Sequence, residues 1–373
     1  MNIAVVAHRP GTRTPTGIDR YARELVRAFA DRTSHAVEVV STAERDIADW
    51  LPPGVRLRHL RGPRKLVHLG WSLLGRPRID GQIGDAEIVH VTAPTFPVPT
   101  SQPVVYTVHD LLPRTHPEWF GRVHRWGFDR ALADARDRAA AVIADSATTA
   151  RLAVEIAGIE ERRITVVPLG VAPQFLEPVD ATDIDRIAAA HGVSPQSYVV
   201  CVGQVNDRKN LGVVVDALAR LGDARPHLVV AGPDGAGAGR VRARVDELGL
   251  GSCVRFAGFV PDRELPALLA GARALLHPSL GEGFGLPPLE AMAVGTPVIV
   301  ADRAALPDAL GTAALIAPAD DADAWAEALS LLADRDTAAV RANDGMAHAR
   351  AFTWSRTADG TLAVYERALG GRA

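Results

Sequence analysis

Apolar residues fall into short, near-continuous runs, separated by longer stretches in which they recur every three or four positions. In the first half the runs lie at 3–7, 37–41, 88–92, 104–108, 141–144 and 164–167. In the second they lie at 198–202, 227–231, 254–257, 274–277, 298–301 and 314–317. Such runs lack the in/out alternation of a half-buried strand and predict strands covered on both faces, as in a parallel sheet. Helical patterns lie between them. One spans 17–30, with Thr16 and Asp19 placed to form a capping box. Strand–helix alternation through both halves predicts an α/β chain of two doubly wound domains. A length of 373 residues agrees, being more than one core usually fills. The predicted domains are 1–172 and 173–353, joined near Pro173 and Pro178. A last helix at 354–369 follows a complete second domain and is expected to pack back onto the first.

Composition narrows the class. Hydrophobic residues at 47% and charged residues at 23% exclude a disordered chain. A net charge of -3 gives no pull toward nucleic acid. The first 172 residues are net basic and the remainder net acidic. The basic excess gathers in Arg56, Arg58, Arg61, Arg64, Lys65, Arg76 and Arg78, interleaved with Leu66, Leu69, Trp71, Leu73 and Leu74. Two readings stand: a solvated, mobile loop, which is the plainer one, or an amphipathic stretch on an anionic membrane surface. Cys201 and Cys253 sit in apolar runs, and two buried free thiols suit a reducing cytoplasm. Residues 1–7 lack the basic and long apolar regions of a signal peptide. No run reaches the roughly 18 apolar residues of a membrane span.

Four motifs carry chemistry. The strongest is Pro278-Ser279-Leu280-Gly281-Glu282-Gly283-Phe284-Gly285-Leu286-Pro287-Pro288-Leu289-Glu290. A predicted strand ends in a glycine-rich loop, and Pro287 or Pro288 opens a helix, where the missing N–H costs nothing. Backbone N–H groups at a helix start bind phosphate without metal. Glycine-rich turns are common in α/β folds, but that does not explain the two acids, Glu282 and Glu290, framing this one. The second motif runs from Val202 through Gly203, Gln204, Arg208 and Lys209 to Leu211. Its two cations at a helix entrance oppose the helix dipole, a cost that a bound anion offsets. The third, Thr14-Pro15-Thr16-Gly17, gives a ligand room at a helix start. It is not the G-x-G-x-x-G fingerprint, which argues against NAD. The fourth is Thr107-Val108-His109-Asp110 at the carboxyl end of a predicted strand, where open α/β sheets bind ligands; a structural histidine is the plain alternative. Metal signals are poor. Asp183/Asp185, Asp321/Asp323 and Asp334/Asp336 read as solvated helix ends, and no zinc spacing occurs.

In this order and placement the motifs resemble the family-4 retaining glycosyltransferases of the GT-B fold, in which two Rossmann-like domains face across a donor cleft. The resemblance covers nearly the whole chain, and the acid–seven–acid element of Glu282 and Glu290 is its most specific part. It implies that Lys209 and Arg208 neutralise the donor diphosphate beside Gly203. The amides of Gly283, Phe284, Gly285 and Leu286 would bind phosphate and hexose. Glu282 would hold the transferred sugar and Glu290 the nucleotide ribose. Phe259 and Val260 would contact the base, Gly17 would leave room for the phosphates, and His109 would contact the sugar near the reacting carbon. One departure stands out. Where many members carry a base after the glycine, this chain has Gln204, and Arg208 is taken as a partial substitute.

The implied chemistry is retaining and metal-independent, with no cofactor beyond the nucleotide-sugar co-substrate. Amides, Lys209 and Arg208 would stabilise the leaving diphosphate in place of a cation. No carboxylate fits as a covalent nucleophile, so same-face attack is expected, the departing phosphate oxygen taking the acceptor proton and Glu282 positioning. Segments 109–113 and 116–120 resemble bacterial mannosyltransferases of surface polysaccharide, making GDP-mannose the first donor and a UDP- or TDP-sugar the second. The expected acceptor is a glycan or a lipid-linked oligosaccharide. The expected location is the cytoplasm, with peripheral contact on the inner face of the membrane through 56–78. Competing classes are a sugar-nucleotide epimerase of the same shape and a non-enzymatic nucleotide-sugar binding module.

Overall fold

A computed structural model describes residues 1–7, 16–32, 35–42, 50–60 and 62–370, and among these residues thirteen strands form, twelve of them on the apolar runs. The chain divides into two compact units, Met1–Gly170 with Thr353–Ala373, and Val171–Phe352. The first unit holds β1 (Asn2–Ala7), β2 (Ala36–Ser41), β3 (Arg56–His59), β4 (Ile88–Val91), β5 (Val104–Val108), β6 (Ala141–Ala144) and β7 (Ile164–Val166). They lie in the order β3-β2-β1-β4-β5-β6-β7. The second unit holds β8 (Tyr198–Val202), β9 (His227–Ala231), β10 (Val254–Gly258), β11 (Ala274–His277), β12 (Val298–Ala301) and β13 (Leu315–Ala317), in the order β10-β9-β8-β11-β12-β13. Every pairing among these strands is parallel. Each sheet winds outward to one edge, returns to the middle and winds the other way, so β1/β4 and β8/β11 are the points of reversal. All residues of β4, β5, β6, β11 and β12 are buried, which is why their sequences lack alternation.

Twelve strands lie within one residue of the expected limits; β3 was not expected. Residues 56–59 are not a loop. They pair parallel with β2 from Glu38↔Arg56 to Ser41↔His59, and Arg58 Nε meets Glu38 Oε2 at 2.5 Å. Cations flanking a single leucine hide the strand from a hydrophobicity reading, yet charged side chains are what a sheet edge needs to resist edge-on association. A helix, Arg64–Leu74, follows.

The helix Gly17–Ala30 begins with the anticipated capping box. The Thr16 side chain accepts from the Asp19 amide, and Asp19 accepts from the Thr16 amide at 2.9 Å. The helix Trp354–Gly370 belongs to the first unit and packs on Gly17–Ala30 and β6. Gly170 permits this approach, since a Cβ there would stand 2.2 Å from the Trp354 amide nitrogen. Among the described residues, no helix is long and apolar enough to cross a membrane.

Candidate functional site

In the second unit two loops leave the carboxyl ends of β8 and β11, the adjacent strands where the winding reverses. Open parallel sheets bind ligands at that position. The first loop starts at Gly203, whose φ of 128° disfavours an L side chain. It continues into a 3-10 turn, Asp207–Lys209, capped by Asn206, whose side chain accepts from the Lys209 amide at 3.1 Å. Asn210, at φ 50°, separates this turn from the helix Leu211–Arg220. Arg208 and Lys209 therefore stand before the helix rather than at its entrance. That corrects the expected opposition to its dipole: the Asn206 cap and the left-handed Asn210 form a separate turn first.

The second loop is stitched to the first. The Leu280 amide donates to the Arg208 carbonyl at 2.9 Å, and Arg208 Nη1 donates to the Gly281 carbonyl at 2.7 Å. Glu282 Oε1 takes both cations, Lys209 Nζ at 2.7 Å and Arg208 Nη1 at 2.8 Å. His277 Nε2 is 3.3 Å from the same oxygen but not aligned for a hydrogen bond. Burial would raise the Glu282 pKa, yet Lys209 and Arg208 outweigh it and hold the carboxyl well below its usual range. Burial pulls Lys209 down against the attraction of Glu282. Burial, then Lys209, pushes His277 down to about 4, so this ring is neutral. Two cations against one carboxylate leave a surplus positive charge, suited to an anion. A small cavity opens here between Gly203, Lys209, His277 and Ser279, whose fully buried Oγ has no hydrogen-bond partner.

Gly285, at φ 102°, immediately precedes the helix Leu286–Ala293, with Pro287 and Pro288 in its first turn, as the motif predicted. A Cβ on Gly285 would stand 2.7 Å from Leu306 Cδ2. Gly283 and Leu286 flank the turn half-buried. Phe284 is buried edge-on to Phe352 at 5.8 Å, which leaves its backbone as the part a ligand can use. Glu290 lies one turn into this helix, 1% exposed. Phe259 and Val260 follow β10, the edge strand, with Phe259 half-exposed and Val260 buried. Asp321 and Asp334 cap helices, as solvated helix ends should.

In the first unit, His109, Thr92 and Asp145 follow the adjacent strands β5, β4 and β6. His109 Nδ1 lies 2.6 Å from Asp145 Oδ2, and Nε2 lies 2.8 Å from the Thr92 carbonyl. The Tyr21 ring meets His109 edge-on at 4.7 Å. Burial would lower the His109 pKa, but Asp145 and the Thr92 carbonyl raise it overall. A buried chain of hydrogen bonds runs on behind: Tyr21 Oη to Thr107 Oγ1 at 2.9 Å, Thr107 to His90 Nε2 at 2.7 Å, and His90 Nδ1 to Tyr365 Oη at 2.6 Å. Gly17 opens the helix Gly17–Ala30, and a Cβ there would meet nothing within 4 Å among the described residues. Thr14 and Pro15 lie outside the described residues. The sequence singled out His109 but missed Asp145, Thr92 and His277. Asp145 had a signal, since it directly follows an apolar run as His109 does.

Residues 15–175 match the model for Glycosyltransferase Family 4, and residues 183–345 match that for Glycosyl transferases group 1. The chain belongs to the family-4 glycosyltransferases. Among relatives of this enzyme, a D-inositol 3-phosphate glycosyltransferase of Nocardia farcinica is 35% identical over 240 residues, 61% of this chain and only 52% of that one. This glycosyltransferase thus matches about half the length of that relative. The O-antigen chain mannosyltransferase B of Escherichia coli is 27% identical over 369 residues, covering 94% of this chain and 96% of its own. HepE of Anabaena, solved in complex with UDP and glucose, superposes with a TM-score of 0.77 at 19% identity, covering 98% of this chain and 99% of its own. The enzyme accordingly has the GT-B fold and is a glycosyltransferase.

Proposed function

We propose that this glycosyltransferase moves mannose from GDP-mannose to a glycan or lipid-linked acceptor, with retention and without a metal ion. The observation that carries the reading is the Lys209–Arg208–Glu282 cluster at the reversal point of the second sheet. Its surplus positive charge suits a diphosphate whose charge grows as the glycosidic bond breaks. Arg208 Nη1 is already fixed between Glu282 and the Gly281 carbonyl, which supports its standing in for the base absent at Gln204. The amides of Gly283, Phe284, Gly285 and Leu286 are assigned to phosphate and hexose, Glu282 to the transferred sugar, Glu290 to the ribose and Phe259 and Val260 to the base. Gly17, at the start of its helix, is assigned to phosphate clearance. The acceptor proton passes to the departing phosphate oxygen. Mannose is favoured by the near full-length likeness to an O-antigen chain mannosyltransferase.

The reading extends to a membrane surface. The helix Arg64–Leu74 buries Val67, His68, Trp71 and Ser72 and leaves Leu66, Leu69, Leu73 and Leu74 exposed, beside Arg64, Lys65, Arg76 and Arg78. Exposed leucines rimmed by cations suit an anionic lipid surface. We place the enzyme in the cytoplasm, where its two buried free thiols stay reduced.

The test is a thermal-shift panel of GDP, UDP, ADP and TDP and their sugar conjugates, run with EDTA. A ligand at a hundred times its Kd adds about 2.7 kcal/mol to folded-state stability. A selective shift with GDP and GDP-mannose, and transfer that survives EDTA, are expected. A selective UDP or TDP shift overturns the donor. Activity lost in EDTA and restored by Mg²⁺ or Mn²⁺ overturns the metal-free mechanism.

A further inference from the structure

Both nitrogens of His109 face acceptors. The Thr92 carbonyl cannot donate, so Nε2 carries a proton at 2.8 Å. Asp145 Oδ2, 2.6 Å from Nδ1, shares the second proton with the ring. Asp145 Oδ1 is buried and has no hydrogen-bond partner, so His109 is the hydrogen-bond partner of this carboxylate. The surroundings reinforce the arrangement. Asp110, from the loop after β5, adds a second negative charge. His90 on β4 is kept neutral, its pKa lowered to about 3 by burial and then by His109, so it brings no competing cation. Tyr21, on the helix Gly17–Ala30, keeps its proton and closes one side of the ring. Neither ring nitrogen has a free lone pair with which to accept a proton from a substrate.

We propose that Asp145 is a positioning residue for sugar transfer: with the Thr92 carbonyl it fixes His109 in one orientation with both nitrogens protonated, so His109 serves the reaction as a fixed positive charge and never as its base. The inference rests on the reading that His109 takes part in transfer. It accounts for why the acceptor proton has to leave by another route, the departing phosphate oxygen.

Histidine-labelled protein followed by NMR across pH tests it directly. His109 in the wild type is expected to keep both ring protons above 6.5, the ordinary histidine value. In Asp145→Asn it is expected to titrate at or below 6.5. Asp145→Asn should also lower kcat by at least about tenfold, leave the donor KM within about threefold, and give the pH–rate profile a limb absent from the wild type. Asp145→Glu, which keeps the carboxylate, should restore part of kcat and the raised titration. Wild-type His109 titrating at or below 6.5, or Asp145→Asn keeping the wild-type kcat and profile, overturns the proposal. The wild-type titration decides the charge even if the variants fail to fold. A doubly protonated His109 in a protein that transfers no sugar from any donor defeats the transfer reading and leaves the charge assignment standing.

Discussion

One carboxylate oxygen of Glu282 serves two cations, and that sets its variants apart from those of Glu290. In Glu282→Gln the charges of Lys209 and Arg208 are no longer offset, so the site becomes more positive. The rate of transfer is expected to fall by about a hundredfold, as the sugar loses its carboxylate partner, while GDP binds as tightly as before or more tightly. Glu290→Ala removes the assigned ribose contact and should weaken GDP about tenfold, or ~1.4 kcal/mol. Calorimetry of GDP with both variants checks this, and equal losses would undo the division of roles. Glu282, Glu290 and Lys209 were legible because each lies in a motif whose local sequence implies its chemistry. His277 and Asp145 were not, because their partners arrive from other strand ends. Only the strand order brings Asp145 beside His109, or His277 beside Lys209, whereas Glu282 follows His277 in the same loop.

At the scale of elements, the parallel strands were legible because burial on both faces writes a continuous apolar run. The edge strand β3 was not, because half-buried Leu57 sits between arginines that answer to solvent and to Glu38. The helix Arg64–Leu74 was visible only as a basic stretch with leucines, and the structure sorts those leucines onto one exposed side opposite Trp71. Replacing Leu66, Leu69 and Leu73 by serine removes apolar area that is already in water, so thermal stability should hardly change. Binding to vesicles rich in anionic phospholipid should fall by about tenfold. Sedimentation with such vesicles measures it; unchanged binding would remove the membrane assignment from this helix.

For the whole molecule, buried neutral histidines set the response to acid. Burial, assisted by the charges of Arg64, His109 and Lys209 respectively, lowers His68 to about 4, His90 to about 3 and His277 to about 4, from the ordinary 6.5. Below 6.5 the unfolded chain binds protons that the fold refuses, so stability falls as pH drops toward about 4. Glu282 acts lower down: its contribution is present above the unfolded value of 4.5 and is lost as pH falls through its depressed folded value. His109 has the opposite sign, contributing below 6.5 and losing that contribution as pH rises through its raised value. With four histidines lowered, His124 included, against one raised, the melting temperature is expected to fall steadily from pH 6.5 toward 4. A flat profile over that window in scanning calorimetry would contradict the burial argument.

The helix Trp354–Gly370 gives the first unit an unusual place in the order of synthesis. His90 and its partner Tyr365 are 275 residues apart, and the second unit is translated between them. On a ribosome the continuous unit Val171–Phe352 has all its strands before the first has its last helix. The unit begun first is finished last, and until then it shows the face of Gly17–Ala30 and β6 that this helix covers. A nascent chain of this enzyme therefore carries an open apolar surface through most of its translation, which is the state chaperones bind. A chain stopped just short of Trp354 would keep every strand of both sheets and still leave that face bare.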